Sequence, residues 1–287
     1  MNQPQNSRLK LGVNTLLWTA HFDTAHLELF PAIAAHGFSA VEVARFDFTG
    51  FPAQAIRSAA AAHNLDVLLC SAFTGDLSLA SEDASIRARS LAHLRAALAA
   101  AQAVGSSLVV GPFCTPVGGL PGRRRTPDEW QRVVDGLSEI APEFAQAGVR
   151  LALEPLNRFE TYFLNTTEDA VRLCQAIHSP AIGILFDTFH ANIEEKDIPT
   201  ALRLAGPHLF HVHTCENDRG APGSGHIPWP AVLAELQALS YSGHCVIESF
   251  GFNIKEIAAA ACIWRDLAPT PDDIAWRGAA YLKSLTI

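Results

Sequence analysis

Short runs of apolar, β-branched residues alternate along this chain with longer stretches whose apolar positions recur every three or four residues. The short runs read as strands near 11–17 (LGVNTLL), 40–46 (AVEVARF), 66–71 (DVLLCS), 107–112 (SLVVGP), 149–154 (VRLALE), 182–187 (IGILFD), 208–213 (HLFHVH) and 244–248 (HCVIE). Helical stretches fall between them. The clearest is 83–104, where Leu91, Leu94, Leu98 and Ala101 keep helical spacing. Thr126-Pro127-Asp128-Glu129 has the form of a capping box with proline at the first helical position, and Thr270-Pro271-Asp272-Asp273 opens the last helix in a similar way. Gly37, Gly105 and Gly148 stand where helices should end.

Eight strand–helix units in 287 residues predict a (β/α)8 TIM barrel, with residues 1–287 as one domain and no low-complexity linker. A doubly wound open sheet is the alternative. It gains little support, because no Gly-x-Gly-x-x-Gly follows the first strand.

A barrel places its active residues at the C-terminal ends of strands. Here strands five to eight end in Glu154, Asp187, His213 and Glu248, at gaps of 33, 26 and 35 residues, each about one strand–helix unit. Counting back by two gives Ala152, Leu185, His211 and Val246 as barrel-facing. The intervening Leu151, Leu153, Ile184, Phe186, Phe210, Val212, Cys245 and Ile247 are all apolar and should face the helices. A lone strand-end Asp is usually a cap, and a lone strand His usually a hydrogen-bonded core residue; four such residues on one rim point instead to a shared cation. Charge is costly to bury unless it is neutralised. Three carboxylates and one imidazole suit an octahedral ion, Mn²⁺ first and Co²⁺ or Mg²⁺ as alternatives, with two positions open to a ligand. Four protein ligands would close a Zn²⁺ site.

Charged residues are 17% of the chain and the formal net charge is −8, so a nucleic-acid partner, which needs a basic face, is not expected. The only basic run, Arg123-Arg124-Arg125, lies in a Gly/Pro-rich loop and reads as a solvated loop or as an anion or subunit contact. The six cysteines form no Cys-x-x-Cys and read as reduced core residues of a cytoplasmic protein. The start, MNQPQNSRLK, has no apolar signal region, and no apolar run is long enough to span a membrane.

Around the strand-end residues the chain resembles the xylose isomerase-like TIM barrels, and within them the ketose 3-epimerases acting on D-tagatose, D-psicose (allulose) or L-ribulose. The resemblance is carried by LLWTAHFD, LEPLNRFETYFLNT, ILFDTFHANIEE, HVHTCENDRGAPGSGHIPW and VIESFGF. It implies a divalent metal held by Glu154, Asp187, His213 and Glu248, with Glu154 and Glu248 as the acid/base pair for epimerising a free ketose at C3 through an enediolate. It also implies that Glu160, His190 and Arg219 hold the O1–O3 end of the sugar and that Trp18 and Phe250 wall the pocket. The loop PFCTPVGGLPGRRR departs from the family pattern, having no Trp after its Cys, which leaves the preferred ketose open.

From the residues alone, His190 could instead cap the next helix, and Arg219 could pair with Asp218 or Glu216. His211 reads as a support behind the ligands, Glu42 as a salt bridge or polar contact, and Cys215 as inert. Rival activities are a hydroxypyruvate isomerase-like or inosose dehydratase-like reaction, a nuclease of the same barrel type, and a non-catalytic sugar-binding barrel. A homo-oligomer, dimer or tetramer, is expected; Trp264 and Trp276 could form its face or cover the barrel bottom.

Overall fold

The computed structural model describes residues 9–285. Most of the N-terminal stretch discussed above lies outside the described residues. Eight strands run in parallel: β1 Lys10–Asn14, β2 Ala40–Ala44, β3 Asp66–Cys70, β4 Leu108–Gly111, β5 Arg150–Leu153, β6 Ile182–Asp187, β7 Leu209–His213 and β8 His244–Ile247. Each pairs with the next, and β8 pairs with β1 through Lys10↔His244 to Val13↔Ile247, so the sheet closes. This is the predicted TIM barrel and excludes the open sheet. The first strand is shorter than its apolar run. The Asn14 side chain accepts from the Leu16 N–H at 2.9 Å and turns the chain into a 3-10 segment, Thr15–Leu17.

The helices that clothe the barrel include α1 Leu29–Ala35, α2 Ala53–Ala62, α3 Ala84–Val104, α4 Pro127–Ala147, α5 Thr167–Ile177, α6 Thr188–Glu194, α7 Ile198–Ala205, α8 Trp229–Ala238, α9 Lys255–Ala260 and α10 Pro271–Leu285. Their ends follow local chemistry. Thr126 and Glu129 form the reciprocal capping box of α4, while Gly105 and Gly148 close α3 and α4 in the left-handed region. Trp276 on α10 stacks on His36 at 4.0 Å, which ties the last helix to the start of the barrel, whereas Trp264 is 78% exposed.

Two apolar layers result. Ala40, Ala44, Leu68, Cys70, Leu108, Val110, Ala152, Leu185 and Val246 fill the inside of the barrel. Leu151, Leu153, Ile184, Phe186, Val212, Cys245 and Ile247 pack outward against the helices. Phe210 breaks the predicted alternation. The β6–β7 register jumps from Ile184↔Leu209 to Leu185↔His211, so Phe210 is an extra residue in a bulge. Its side chain joins the interior layer instead of the outer one, under the Arg150 guanidinium.

The Phe210 ring occupies the space a side chain at Gly183 would need, since a Cβ there would lie 2.4 Å from it. Gly183→Ala is expected to cost roughly 1–3 kcal/mol through overpacking. A lowered denaturant midpoint at unchanged slope would show it.

Candidate active site

Asp187 and His213 end β6 and β7, and Glu154 and Glu248 follow β5 and β8 directly. Parallel strands in one closed barrel bring all four ends to one rim, and their ligand atoms lie within 4.8 Å of one another. All four side chains are buried. His213 Nδ1 stands 3.3 Å from Glu248 Oε2, 3.8 Å from Asp187 Oδ2 and 4.0 Å from Glu154 Oε1. That nitrogen is buried and has no hydrogen-bond partner among the described residues. An orphaned imidazole nitrogen facing three carboxylates fits a divalent cation with oxygen-rich ligation.

The charges are unevenly placed. Burial pushes the Glu154 carboxyl well above the usual range, and the neighbouring Glu248 adds to it. Burial would raise Asp187 too, but Arg219 and His213 hold it well below that range. Burial would lower His213, yet Glu248 and Glu42 raise it well above an ordinary histidine. One rim therefore holds a carboxyl that favours its neutral form beside one that stays ionised.

A second set of side chains covers this centre. Arg219 Nη1 donates to Asp187 Oδ2 at 2.8 Å and to Glu248 Oε2 at 3.0 Å. Its guanidinium is clasped between the Phe189 ring at 4.1 Å and the Phe250 ring at 4.8 Å. The pairing with Asp218 or Glu216 does not occur: Asp218 takes Arg265, and Glu216 accepts from Trp229 Nε1, Gly223 N and Ile227 N.

His190 does not cap a helix. Asp187 caps α6, accepting from Phe189 N at 2.6 Å, and His190 lies in the first turn behind it. The Asn157 N–H donates to His190 Nδ1 at 3.0 Å. Burial keeps the ring neutral, lowering it to about 3. Its Nε2 is 3.6 Å from Glu154 Oε1 and 3.0 Å from Arg219 Nη2. The Asn157 side chain also donates to Glu160 Oε1 at 2.7 Å, and burial raises the Glu160 carboxyl.

Trp18 follows the first strand's end, with its indole N–H on Asp272 at 2.6 Å and its ring 5.9 Å from Trp276, so its described contacts lie on α10. Cys215 is buried, and burial and Asp187 push its thiol well up, as expected of an inert cysteine.

A family-level sequence match to the xylose isomerase-like TIM barrel spans residues 30–284. The chain is 34% identical over 276 residues to a probable ketose 3-epimerase of Synechocystis sp., covering 96% of both chains. It is 30% identical over 261 residues to an L-ribulose 3-epimerase of Mesorhizobium japonicum, covering 90% of this chain and 88% of the other. The crystal structure of a D-allulose 3-epimerase from Methylomonas sp., in complex with D-allulose, superposes with a TM-score of 0.91 at 26% identity over 97% of each chain. The chain belongs to the xylose isomerase-like TIM barrel family. Its named relatives make it an isomerase that works on carbohydrate.

Within that family frame, the arginine-rich loop is largely occupied by its own chain. Arg123 grips Glu129 with both terminal nitrogens, at 2.8 and 2.9 Å, and holds that carboxyl down to about 2. Arg125 pairs with Asp169 at 2.8 Å, donates to the Phe163 carbonyl and covers the Trp130 ring. Arg123, Glu129, Arg132, Tyr162 and Leu120 line a cavity of about 490 Å³ formed by the loops after β3 and β4, whose lining includes none of the four strand-end acids. Among the described residues no helix is long and apolar enough to cross a membrane.

Two members of the site escaped the sequence reading. Asn14 is the last residue of β1, and its amide donates to Glu42 and to Glu248. The strand-end rule misses Asn14 because the apolar run 11–17 puts the end of the first strand at Leu17. Asn157, which orients both His190 and Glu160, sits in a loop where no periodicity marks it.

Proposed function

We propose that this chain epimerises a free ketose at C3, with Glu154 and Glu248 as the paired bases. The observation that carries this reading is the convergence of Glu154, Asp187, His213 and Glu248, with the two glutamates three strands apart around one rim. Epimerisation needs a base on each face of a flattened intermediate, and the pair on β5 and β8 provides two. The names of the relatives, ketose, L-ribulose and D-psicose 3-epimerase, support the substrate class.

Glu154, Asp187, His213 and Glu248 would hold one divalent ion, for which Mn²⁺ and Co²⁺ suit the donor set. When bound, it supplies Lewis-acid polarisation of sugar oxygens and offsets the charge of the acids. One glutamate takes the C3 proton, the electron pair passes into the enediolate, and the other glutamate, entering protonated, returns a proton to the opposite face. Each turnover leaves the two carboxyl groups with exchanged roles, and exchange with water resets them. His190 and the Arg219 guanidinium lie together beside the two glutamates, where oxygen charge would develop, and both are held by their own partners before the ligand arrives. Glu160 accepts from a sugar hydroxyl, and Phe250 and Trp18 supply apolar wall.

Incubating free ketohexoses and ketopentoses with added Mn²⁺ tests this. Products that keep the ketone and invert C3 are expected. An aldose, or loss of water, would assign the chain to another reaction of the family. Arg219→Ala is expected to raise KM about 10–100-fold, the loss of charge-assisted hydrogen bonds worth about 1.5–3 kcal/mol. Metal content measured alongside should hold, and its loss would give Arg219 a structural role.

A further inference from the structure

A pillar of polar side chains stands inside the barrel beneath the four acids, and the reaction scheme does not use it. Glu42, on the interior face of β2, is fully buried. Its Oε1 lies 2.8 Å from His213 Nε2 and accepts from Asn14 Nδ2 at 2.7 Å. Its Oε2 lies 2.8 Å from His211 Nε2. The same Asn14 amide reaches Glu248 Oε1 at 3.3 Å. Asn14 Oδ1 is occupied by the Leu16 N–H, which fixes the amide with its N–H groups toward the two acids.

A carboxylate can only accept. In the neutral ring that a cation requires, the His213 proton must therefore sit on Nε2, which leaves the Nδ1 lone pair in the middle of Glu154, Asp187 and Glu248. A charge buried in a barrel core is a poor source of stability, since well-packed apolar residues often do as well or better. Its presence under the acids argues for a role in the site.

We propose that Glu42 is a positioning residue: it accepts the Nε2 proton of His213 and, through Asn14, braces Glu248, so that two of the four ligand groups present their lone pairs to a divalent ion. The inference rests on the metal reading given above. Partners of this kind that orient a ligating histidine typically change metal affinity 10–100-fold.

The test compares the chelated, dialysed protein with Glu42→Gln. Gln keeps the shape but removes the charge and turns one acceptor into a donor, which weakens the hold on the His213 Nε2 proton. Calorimetric titration with Mn²⁺ should show affinity weakened by about 10–100-fold, and the visible spectrum of the Co²⁺ form should change. Equal Mn²⁺ affinity and an unchanged Co²⁺ spectrum overturn the inference. Failure of the unaltered protein to take up Mn²⁺ is a different result: it removes the metal reading and this inference with it. If Glu42→Gln does not fold, ¹⁵N spectra of the histidine-labelled, Mg²⁺-loaded natural sequence decide, with the His213 signal identified by its loss in His213→Gln. Protonated Nε2 is expected, and protonated Nδ1 overturns the assignment.

Discussion

Glu248→Gln is expected to slow epimerisation by roughly 10²–10⁴-fold, and Glu154→Gln by a similar factor, because each removes the general acid/base serving one face of the sugar. The two variants should not look alike in exchange. With Glu154 intact, the epimer whose C3 hydrogen faces β5 still loses that proton and can regain deuterium from heavy water on the same face. With Glu248 intact, the opposite epimer does so. Each variant should therefore wash deuterium into C3 of one epimer without inverting it, and the two variants should choose different epimers. The amide keeps an oxygen near His213 Nδ1, which stands 3.3 Å from Glu248 and 4.0 Å from Glu154. Metal content measured beside the rates separates loss of a base from loss of the ion. Near-normal inversion in either variant, or exchange of both epimers in both, would reject the two-base scheme.

The barrel itself was legible because mostly apolar strand runs alternate with amphipathic stretches, several of which carry their own caps, as at Asp83 and Thr126. Glu154, Asp187, His213 and Glu248 were legible because a strand end in a barrel is a place as well as a local feature. What escaped depends on neighbours that strand periodicity does not encode. Phe210 obeys the alternation in the sequence, and only the unequal pairing of β6 with β7 turns it inward. Glu42 could be seen as a polar contact, but not that it faces two histidines of β7, three strands away around the closed barrel. Asn157 acts through its backbone N–H as much as its side chain, and a backbone group has no signature in composition.

Removing divalent ions with a chelator is expected to abolish turnover and also to lower stability, because the site then holds buried acids without their counter-charge. Mn²⁺ or Co²⁺ should restore activity better than Zn²⁺, which prefers the four-coordination that this donor set would close; equal recovery with Zn²⁺ would count against octahedral ligation. The stability effect has a sign that can be worked out. Glu154 and His213 both have folded-state values raised above the unfolded ones. Their contribution is present below the unfolded values and is lost as pH rises through the folded ones. Asp187, held low, behaves oppositely and gives up its contribution only in acid. From about the ordinary carboxylate range upward, the metal-free protein should therefore weaken as pH rises. Cation binding needs the same groups deprotonated, so it strengthens over that span. The rise in thermal midpoint on adding Mn²⁺ should be larger at mildly alkaline than at mildly acidic pH, with a ceiling near 2.7 kcal/mol at a hundredfold excess over the dissociation constant. A shift independent of pH would mean that the ion binds somewhere other than between Glu154 and His213.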